Sequence, residues 1–479
     1  MDNLINIFQK TVELGFLIYS VLIFSTYLIL SLFSAIALAQ YIKRNRYTDL
    51  GSILSSPLSP SISILAPAYN EANTIIENAR SLLSLHYVDF EVIIINDGSK
   101  DDTLRKMINE YQMEEVDYAI NYEIPCNPIK AVYKSTNQAF SKLILVDKVN
   151  GGKADALNAG MNISTKQLFT TIDVDCVIEH DGLLKMVKPF LDQKEERIIA
   201  TGGVVRVANS CEIEDGRIKS VELPKDLLPR FQVIEYFRAF ILGRMAWSKL
   251  NGLLLISGAF GMFDREIATK AGGYNKHTVG EDMELVVRMR RYMHDNNMGK
   301  YRVTFIPDPL CWTEVPSSTK ILGGQRNRWT RGTIDTLWMH RVMFFNPKYG
   351  RLGMISFPYW VFFEWLAPYV ELFGYAYFFV LFALGQINFL FFITLFIYVY
   401  TFSVMFSMFA FLFEEVSYYQ YKKKSDILKL IFTAMIEPLI YHPLVVFWEI
   451  RGNYDYFINN KRDWGTMTRA GFGKKPETK

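Results

Sequence analysis

The sequence has few cysteines and histidines for its length. Four cysteines and six histidines occur among 479 residues. The cysteines are far apart, and neither residue type shows the paired spacing of a zinc site. This argues against a zinc protein and against a disulfide scaffold, and it fits thiols that stay reduced and serve as packing residues. The cysteines are Cys126, Cys176, Cys211 and Cys311.

A large excess of charge of one sign is also lacking, because 52 lysines and arginines are balanced by 49 aspartates and glutamates. The formal net charge is +3. The soluble part shows no stripe of arginine and lysine interleaved with aromatic residues, which is the pattern that nucleic-acid-binding proteins present. We therefore expect no nucleic acid among the partners of this chain.

Long apolar runs, in contrast, are abundant. Half of the residues are apolar and 15% are aromatic, and Leu14 to Ala39 is a run of 26 residues without a charge. At 1.5 Å per residue this run can cross a hydrocarbon core of ~30 Å, and it is too long for a signal peptide. Lys43, Arg44 and Arg46 follow it, so the positive-inside rule places the next part of the chain in the cytoplasm.

The last third of the chain is also largely apolar. Ile355–Leu384 and Ile387–Phe413 are long enough to span, and the lysines at 422–424 fit a return to the cytoplasm. Ile427–Trp448 contains Pro438 and Pro443, which predict a broken or re-entrant segment. If it spanned the membrane, the basic tail would lie outside, against the positive-inside rule, so we expect a cytoplasmic tail.

Between these membrane regions, strand-like runs alternate with helical patterns. Their nearly continuous apolar character is typical of a parallel sheet buried on both faces, with ligands at the carboxyl ends of the strands. The strand-like runs are Ser61–Pro67, Phe90–Ile95, Leu143–Val146 and Leu168–Val174. The predicted order is an N-terminal segment (1–13), a transmembrane helix (14–40), a linker (41–60), the α/β domain (61–319), interfacial amphipathic helices (320–350), membrane helices (351–450) and the basic cytoplasmic tail (451–479).

Two carboxylates end the last of these strands. Asp173 and Asp175 are two positions apart, so an extended backbone directs both to one side. Their mutual repulsion is relieved by a divalent cation, and Mg²⁺ or Mn²⁺ typically binds one or two carboxylates together with substrate phosphates. The pair therefore points to a nucleoside diphosphate ligand. An ordinary acidic loop at a strand end is the alternative.

Three further signals lie in the same domain, and a fourth follows it directly. Each has an alternative interpretation: a turn residue for the first, a solvated lysine for the second, a helix cap for the third and an aromatic-basic membrane belt for the fourth. They are Asp97 after the second strand, Lys153 at a glycine-rich turn, Glu281-Asp282 at a helix start, and Gln325-Arg326-Asn327-Arg328-Trp329 before the membrane.

Taken together, the five signals resemble the family 2 glycosyltransferases, in particular the processive membrane branch that makes cellulose, hyaluronan and poly-N-acetylglucosamine. The resemblance covers about Ser61 to Trp329, and the Gln-x-x-Arg-Trp motif is its most discriminating part. It implies an α/β Rossmann-like (GT-A) catalytic domain with a parallel-dominated sheet, flanked by transmembrane helices.

The resemblance also implies a role for each motif on the donor side. Ala68, Glu71 and Asp97 would contact the uridine of a UDP-sugar, and Lys153 would meet its phosphates. Gln325, Arg326 and Arg328 would bind the diphosphate, because arginine suits a leaving group whose negative charge grows. Asp173 would hold the nucleotide sugar, and Asp175 would bind the metal, Mg²⁺ or Mn²⁺. Asn96 stands where many members of the family have a second aspartate.

On the acceptor side, the resemblance makes Asp282 the general base that deprotonates the attacking hydroxyl. Trp329 would stack on a sugar ring, and Ser257 and Gly258 would line the acceptor pocket. The latter pair also fits a core strand with a glycine bend. Glu281 is assigned to the acceptor side only by its position next to the base.

The resulting expectation is an inverting glycosyltransferase that extends a β-linked polysaccharide from a UDP-sugar and exports it through its membrane helices. N-acetylglucosamine is slightly favoured over glucose and glucuronate. The enzyme would be a multi-pass protein of the cell membrane with a cytoplasmic catalytic domain, in contact with lipids and with an accessory export or regulatory subunit. The alternatives are a non-processive enzyme with a lipid-linked acceptor, and a nucleotide-sensing transporter or scaffold without turnover.

Overall fold

The computed structural model describes residues 2–46, 50–173, 176–193, 195–214 and 216–462. The predicted metal ligand Asp175 lies outside the described residues, and so does most of the predicted basic tail, from 463 to 479. The boundaries between the predicted domains stay predictions.

A ten-stranded mixed sheet forms the centre of the α/β domain, in the order β3-β4-β5-β2-β1-β6-β11-β8-β12-β7. The pairs β5-β2, β2-β1, β1-β6 and β8-β12 are parallel, and antiparallel pairs flank them. The strands are β1 (Ile62–Ala68), β2 (Phe90–Asn96), β3 (Met113–Glu115), β4 (Ile129–Ser135), β5 (Leu143–Lys148), β6 (Leu168–Ile172), β7 (Cys176–Ile178), β8 (Arg197–Val207), a small hairpin of β9 (Glu212–Glu214) and β10 (Arg217–Ser220), β11 (Phe260–Asp264) and β12 (Tyr301–Thr313).

The central parallel strands are those that the apolar runs predicted, and the expected α/β fold is confirmed. Every residue of β2, β5 and β6 is buried, which explains why these strands lack the alternation of a half-exposed sheet. Because the strands run in parallel, Asp97, which follows β2, and Asp173, which follows β6, lie at the same edge of the sheet.

Helices cover the sheet and form the membrane part. They are α1 (Asp2–Asn45), α2 (Leu50–Ser55), α3 (Ile75–Leu83), α4 (Thr103–Glu110), α5 (Lys153–Ile163), α6 (Gly182–Leu191), α7 (Leu227–Tyr236), α8 (Met245–Lys249), α9 (Arg265–Lys270), α10 (Glu281–Asp295), α11 (Thr319–Met339), α12 (Phe357–Tyr359), α13 (Ala367–Ala383), α14 (Phe389–Ser417) and α15 (Lys424–Phe457). π-Helical turns lie at Phe237–Arg244, Leu352–Ser356 and Trp360–Trp365, and short 3₁₀ turns lie at Gln138–Phe140, Arg341–Met343 and Pro347–Tyr349.

Four helical segments of the described chain are long and apolar enough to cross a membrane: Asn6–Asn45, Leu352–Ala383, Phe389–Ser417 and Lys424–Phe457. The chain is therefore a membrane protein. The first segment contains the predicted helix 14–40 and extends beyond it at both ends.

α1 connects the far end of the membrane helices with the α/β domain. Near its start, Gln9 Nε2 donates to the carbonyl of Gln386, between α13 and α14, at 2.8 Å. Near its end, Gln40 Oε1 accepts from Lys249 Nζ of α8 at 2.6 Å. In between, Phe24 stacks on Phe402 of α14 with ring centroids 4.8 Å apart. One helix thus touches both extremes of the membrane part and the domain.

α15 differs from the predicted broken segment, because it runs as one helix through Pro438 and Pro443. Both of its ends contact the α/β domain. Just before its start, Lys423 Nζ lies 3.1 Å from Glu222 Oε1, and near its end Asn327 Nδ2 of α11 donates to Asp455 Oδ2 at 2.8 Å. α15 also packs along α7 and α11. Long-range packing therefore outweighs the helix-breaking tendency of the two prolines.

Candidate functional site

A single cavity of about 1490 Å³ lies at the carboxyl ends of the central strands and continues between the membrane helices. Ligand pockets for one small molecule are typically ~300–1,000 Å³, so this cavity has room for two ligands side by side. Every predicted site residue within the described chain lines it: Ala68, Glu71, Asp97, Lys153, Asp173, Ser257, Gly258, Glu281, Asp282, Gln325, Arg326, Arg328 and Trp329.

Asp97 holds the glycine-rich turn that precedes α5. Its Oδ1 accepts from the backbone N–H of Gly151 at 3.0 Å, and its Oδ2 accepts from that of Gly152 at 2.8 Å. Lys148 Nζ donates to Oδ1 at 2.7 Å, and Asn150 Nδ2 donates to Oδ2 at 3.1 Å. Gly152 has a φ of +85°, a conformation that glycine adopts without steric cost. The uridine contact predicted for Asp97 stays a prediction, and the structure adds this positioning of the turn.

Ala68 and Glu71 form the neighbouring wall. The carbonyl of Ala68 accepts from the backbone N–H of Asp97 at 2.9 Å, which ties the ends of β1 and β2 together. The backbone N–H of Glu71 donates to Thr103 Oγ1 at 2.8 Å, and its Oε2 accepts from Thr74 Oγ1 at the same distance. Glu71 is thereby oriented at the cavity rim.

Lys153 begins α5 and forms the cationic part of the wall. Its ammonium is paired with Asp173 Oδ1 and lies 3.8 Å from Glu281 Oε1. Burial opposes the charge of Lys153, but Asp173 and Glu281 outweigh burial and raise its pKa. Burial also raises the pKa of Glu281 to about 7, although Lys153 acts in the opposite direction. The group can therefore change its charge near neutral pH.

Asp173 lines the cavity, and its carboxylate is paired there with the Lys153 ammonium. A cation can therefore bind at this carboxylate. Among the described residues, no three His, Cys, Asp or Glu side chains converge on a point that could hold a metal. Mg²⁺ commonly uses one or two carboxylates and completes its ligands with substrate phosphates, and Asp173 supplies one such carboxylate in the described part of the cavity wall. The residues present are thus compatible with Mg²⁺ or Mn²⁺ bound together with a nucleotide.

Asp282 occupies the first turn of α10. Its Oδ2 accepts from the backbone N–H of Gly258 at 3.0 Å, and its Oδ1 accepts from the N–H of Met283 at 2.8 Å. These two bonds fix the carboxylate plane, and each oxygen retains acceptor capacity. Ser257 Oγ accepts from the N–H of Ala259 at 3.4 Å, which orients the loop that carries Gly258. The predicted base and the predicted acceptor loop are therefore in direct contact.

The polar residues of the Gln-x-x-Arg-Trp motif lie on α11 and are all buried. Gln325 is 8% exposed, and its Oε1 has no hydrogen-bond partner in the described part of the chain. Arg328 lies near Glu281, Asp173 and Asp282, and burial lowers its pKa despite these three carboxylates. Both side chains line the cavity together with Asp173, Glu281 and Asp282.

Arg326 has different neighbours from those that the motif predicted. Its guanidinium forms two bonds with Glu235 of α7, of which Nη2–Oε2 measures 2.7 Å, and a third with Tyr441 Oη of α15 at 3.1 Å. Its Cζ also lies 4.4 Å from the ring centroid of Trp329, which is 39% exposed and lines the cavity. The diphosphate contact of Arg326 stays a prediction, whereas its pairing with Glu235 is observed.

Sequence analysis predicted export through the membrane helices, but it did not assign Arg238 or Glu437, which line the cavity between these helices. Arg238 of the π-helical turn binds Glu437 of α15 through Nη1 at 2.9 Å and Nη2 at 2.8 Å. Charges within apolar runs were the available signal, because such charges face protein or a polar cavity. The lining here consists of aromatic and ionisable side chains, among them Tyr27, Trp360, Glu364, Trp365, Glu437, His442 and Glu449.

Arg244 is a second omission. It lines the cavity, its Cζ lies 4.2 Å from the ring centroid of Phe240, and its Nη1 has no hydrogen-bond partner among the described residues. Burial lowers its pKa to about 10, with Asp282 opposing this shift. No pattern in the sequence marked this arginine, because it lies in an irregular helix without a motif.

The chain is a membrane protein with a Rossmann-like α/β domain. Residues of this domain and of the membrane helices line the same cavity. Residues 60–332 match the family described as glycosyltransferase like family 2, which is more than half of the chain. The chain belongs to this family.

Two proteins with established or assigned names are similar to this chain in sequence. A poly-beta-1,6-N-acetyl-D-glucosamine synthase of Staphylococcus epidermidis is 30% identical over 278 residues, which cover 58% of this chain and 55% of the relative. A probable glycosyltransferase of Bacillus subtilis is 27% identical over 315 residues, or 64% of this chain and 63% of the relative. The alignment thus spans about half the length of the staphylococcal protein.

Solved structures also resemble the chain. A mannosyltransferase of Pyrobaculum calidifontis in complex with GDP-mannose and Mn²⁺ aligns with 91% of this chain and 99% of its own at 16% identity, with a TM-score of 0.47. A Staphylococcus aureus TarS fragment, residues 1–349, in complex with UDP aligns with 64% of this chain and 74% of its own at 12% identity, with a TM-score of 0.35.

Proposed function

We propose that the chain is an inverting glycosyltransferase that transfers a sugar, N-acetylglucosamine as the first candidate, from UDP to a growing β-linked polysaccharide. The observation that carries this proposal is the single cavity, in which Asp282, Lys153, Arg328 and Trp329 share one space with the membrane helices. The similarity to poly-beta-1,6-N-acetyl-D-glucosamine synthase supports the choice of sugar.

In the proposed reaction, Asp282 accepts the proton of the acceptor hydroxyl. The hydroxyl oxygen forms a bond with the anomeric carbon, and the bond between that carbon and the diphosphate oxygen breaks. UDP leaves with the electron pair, and an α-linked donor yields a β-linked product. A positioned carboxylate typically contributes ~10²- to 10⁴-fold to such a step. The fixed contacts of Asp282 with Gly258 and Met283 supply the positioning.

Negative charge develops on the diphosphate as UDP leaves, and Lys153 and Arg328 are the cations on that side of the cavity. Gln325 donates from its amide to the same group. Asp175 would hold a Mg²⁺ or Mn²⁺ ion and Asp173 would hold the nucleotide sugar beside it, and the ion would add to this charge neutralisation. Because Lys153 pairs with Asp173 in this structure, we expect its ammonium to move to the phosphates when the nucleotide and metal bind.

The acceptor lies toward the membrane in this proposal. Trp329 offers its partly exposed ring to the terminal sugar, and the aromatic and ionisable lining beyond it provides stacking surfaces and hydrogen-bond partners for further sugars. The chain would thus be exported while it is extended. Positive residues after α1 and before α15 support a cytoplasmic α/β domain. We further propose the cell membrane as the location of the protein, and lipids and an accessory export or regulatory subunit as its partners.

The test is UDP release by the purified full-length chain in detergent with Mg²⁺ or Mn²⁺ and a panel of UDP-sugars. Native protein is compared with Asp282→Asn and with Asp117→Asn, a matched change at an exposed position outside the cavity. We expect release with one donor, loss of at least ~10²-fold in Asp282→Asn, and native activity in Asp117→Asn.

The size of the product separates the alternatives. A long polymer supports processive synthesis, whereas a single added sugar on a lipid-linked acceptor indicates the non-processive enzyme. Tight UDP binding without release from any donor would refute glycosyl transfer and favour a nucleotide sensor.

A further inference from the structure

The two arginines of the motif point in different directions. Residues two positions apart on an α-helix are rotated by about 200°, so Arg326 and Arg328 of α11 lie on nearly opposite faces. Arg328 is on the face with Asp173 and the pair Glu281-Asp282. Arg326 instead contacts α7 and α15. A diphosphate bound on the Arg328 face would therefore lie on the opposite side of α11 from the Arg326 guanidinium.

The two terminal nitrogens of Arg326 are also already bonded within the protein, whereas its buried Nε has no hydrogen-bond partner among the described residues. Both terminal nitrogens of its guanidinium bind Glu235, and Nη2 is shared with Tyr441, whose hydroxyl donates to Glu235 Oε2 at 2.7 Å. Arg326 is 4% exposed and Tyr441 is 1% exposed. A diphosphate could recruit Arg326 only by breaking this buried pair and leaving the Glu235 carboxylate without its cation.

The remaining contact of Arg326 is with the acceptor side. Trp329 is three positions further along the helix, hence on the same face, and the guanidinium lies over its ring with Cζ 4.4 Å from the centroid. Arg326 therefore restrains the indole, while α7 and α15 restrain Arg326. The ring remains 39% exposed, which leaves surface for a ligand.

We propose that Arg326 is a positioning residue, which holds Trp329 for the acceptor sugar and does not bind the diphosphate. This inference rests on the proposed function, because Trp329 is taken as the acceptor platform. Glu235 and Tyr441 complete the arrangement, so α15 acts on the acceptor end of the cavity through one guanidinium.

The test compares the same substitution at the two arginines. Arg326→Lys and Arg328→Lys both keep a positive charge and both lose the planar fork that binds a carboxylate or phosphate with two nitrogens. UDP affinity is measured by calorimetry with Mn²⁺ on the full-length chain in detergent. Initial rates are measured against the UDP-sugar and against a short β-1,6-linked N-acetylglucosamine oligosaccharide.

For Arg326→Lys we expect the KM for the oligosaccharide to rise about fivefold or more, while the Kd for UDP and the kcat at saturating acceptor stay within about twofold. For Arg328→Lys we expect the Kd for UDP to rise about tenfold or more. Tyr441→Phe removes its hydroxyl hydrogen bonds without opening a cavity, so it should raise the KM for the oligosaccharide less than Arg326→Lys does. It replaces Arg326→Lys in the test if that variant does not fold.

Equal loss of UDP affinity in both arginine variants would overturn the proposal and return Arg326 to the diphosphate. Unchanged kinetics in Arg326→Lys and Tyr441→Phe would also overturn it. If the native chain binds UDP but turns over no donor, the proposed function fails by itself, and the calorimetric comparison still decides whether Arg326 contacts the nucleotide.

Discussion

Arg206 Nη2 of β8 lies 2.6 Å from Glu414 Oε2 of α14, and both side chains are almost completely buried. The pair joins the central sheet to a membrane helix. Breaking a buried pair by removing one partner typically costs ~3–5 kcal/mol, because the other charge remains buried. We expect Glu414→Gln to lower the midpoint of thermal unfolding in detergent by several degrees.

The neighbouring Glu415 provides the control. It lies in the same helix, is partly buried, and its Oε1 has no hydrogen-bond partner among the described residues. Glu415→Gln should leave the midpoint nearly unchanged. Equal shifts in the two variants would show that the pair with Arg206 has no special contribution.

The buried Glu281 predicts a pH-dependent stability. Burial raises its pKa from 4.5 to about 7. Between these values the folded protein keeps a proton that the unfolded chain releases, so stability should fall as pH rises from about 4.5 to about 7. Unfolding midpoints of the nucleotide-free chain in a metal chelator, measured at intervals across this range, should show a shallower decline in Glu281→Gln.

A second glutamate separates this effect from a general response to charge. Lys270 and Arg197 lower the pKa of Glu266 to about 2. Its contribution to stability is present above pH 4.5 and is lost as pH falls toward 2, so Glu266→Gln should keep the decline between pH 4.5 and 7. Parallel curves for native protein and Glu281→Gln would contradict the assignment.

A methyl group at Gly258 should displace the proposed base. A Cβ at this position would lie 3.2 Å from Asp282 Oδ2 and 3.3 Å from Asp282 Cβ, closer than ordinary contact. Gly258→Ala should therefore lower kcat for UDP release about tenfold or more, with UDP affinity within about twofold, because the change acts on the acceptor side.

Gly324→Ala is the matched control, since its Cβ would meet nothing within 4 Å. This variant should retain native kcat. A native rate in Gly258→Ala would show that Asp282 tolerates displacement and would weaken its assignment as the base.

The contacts of α15 predict the side on which the chain ends. Because both ends of this helix contact the α/β domain, Asn460→Cys should react with an impermeant maleimide from the same side as Asp117→Cys. Gln386→Cys, in the loop between α13 and α14, should react from the opposite side. The test uses oriented vesicles and a background with serine at the half-buried Cys126 and Cys211. Labelling of Asn460→Cys together with Gln386→Cys would mean that α15 crosses the membrane.

The fold could be predicted where local composition determines structure. Strands buried on both faces must be apolar throughout, so β1, β2 and β6 were visible as runs, and the polar residues that follow them, Asp97 and Asp173, had to meet at one edge. The motif residues on helices α5, α10 and α11 were assigned to the same site by the family resemblance, because they do not follow these strands.

The structural features that the sequence did not predict depend on contacts between residues that are distant in sequence. The prolines of α15 predicted a break, but contacts with α7 and α11 keep the helix continuous. Likewise, the motif does not predict the hydrogen-bond partners of Arg326 and Arg328. The helical rotation between Arg326 and Arg328 could have separated the two arginines, whereas Glu235 and Tyr441 become neighbours of Arg326 only through tertiary packing.

The length of α1 has a mechanical consequence. Its 44 residues extend about 66 Å at 1.5 Å per residue, roughly twice the thickness of a hydrocarbon core. Gln9 contacts the loop that joins α13 and α14 near one end of the helix, and Gln40 contacts α8 near the other end. A continuous helix keeps its two ends at a fixed distance, so α1 sets the separation between the loop that joins α13 and α14 and the α/β domain.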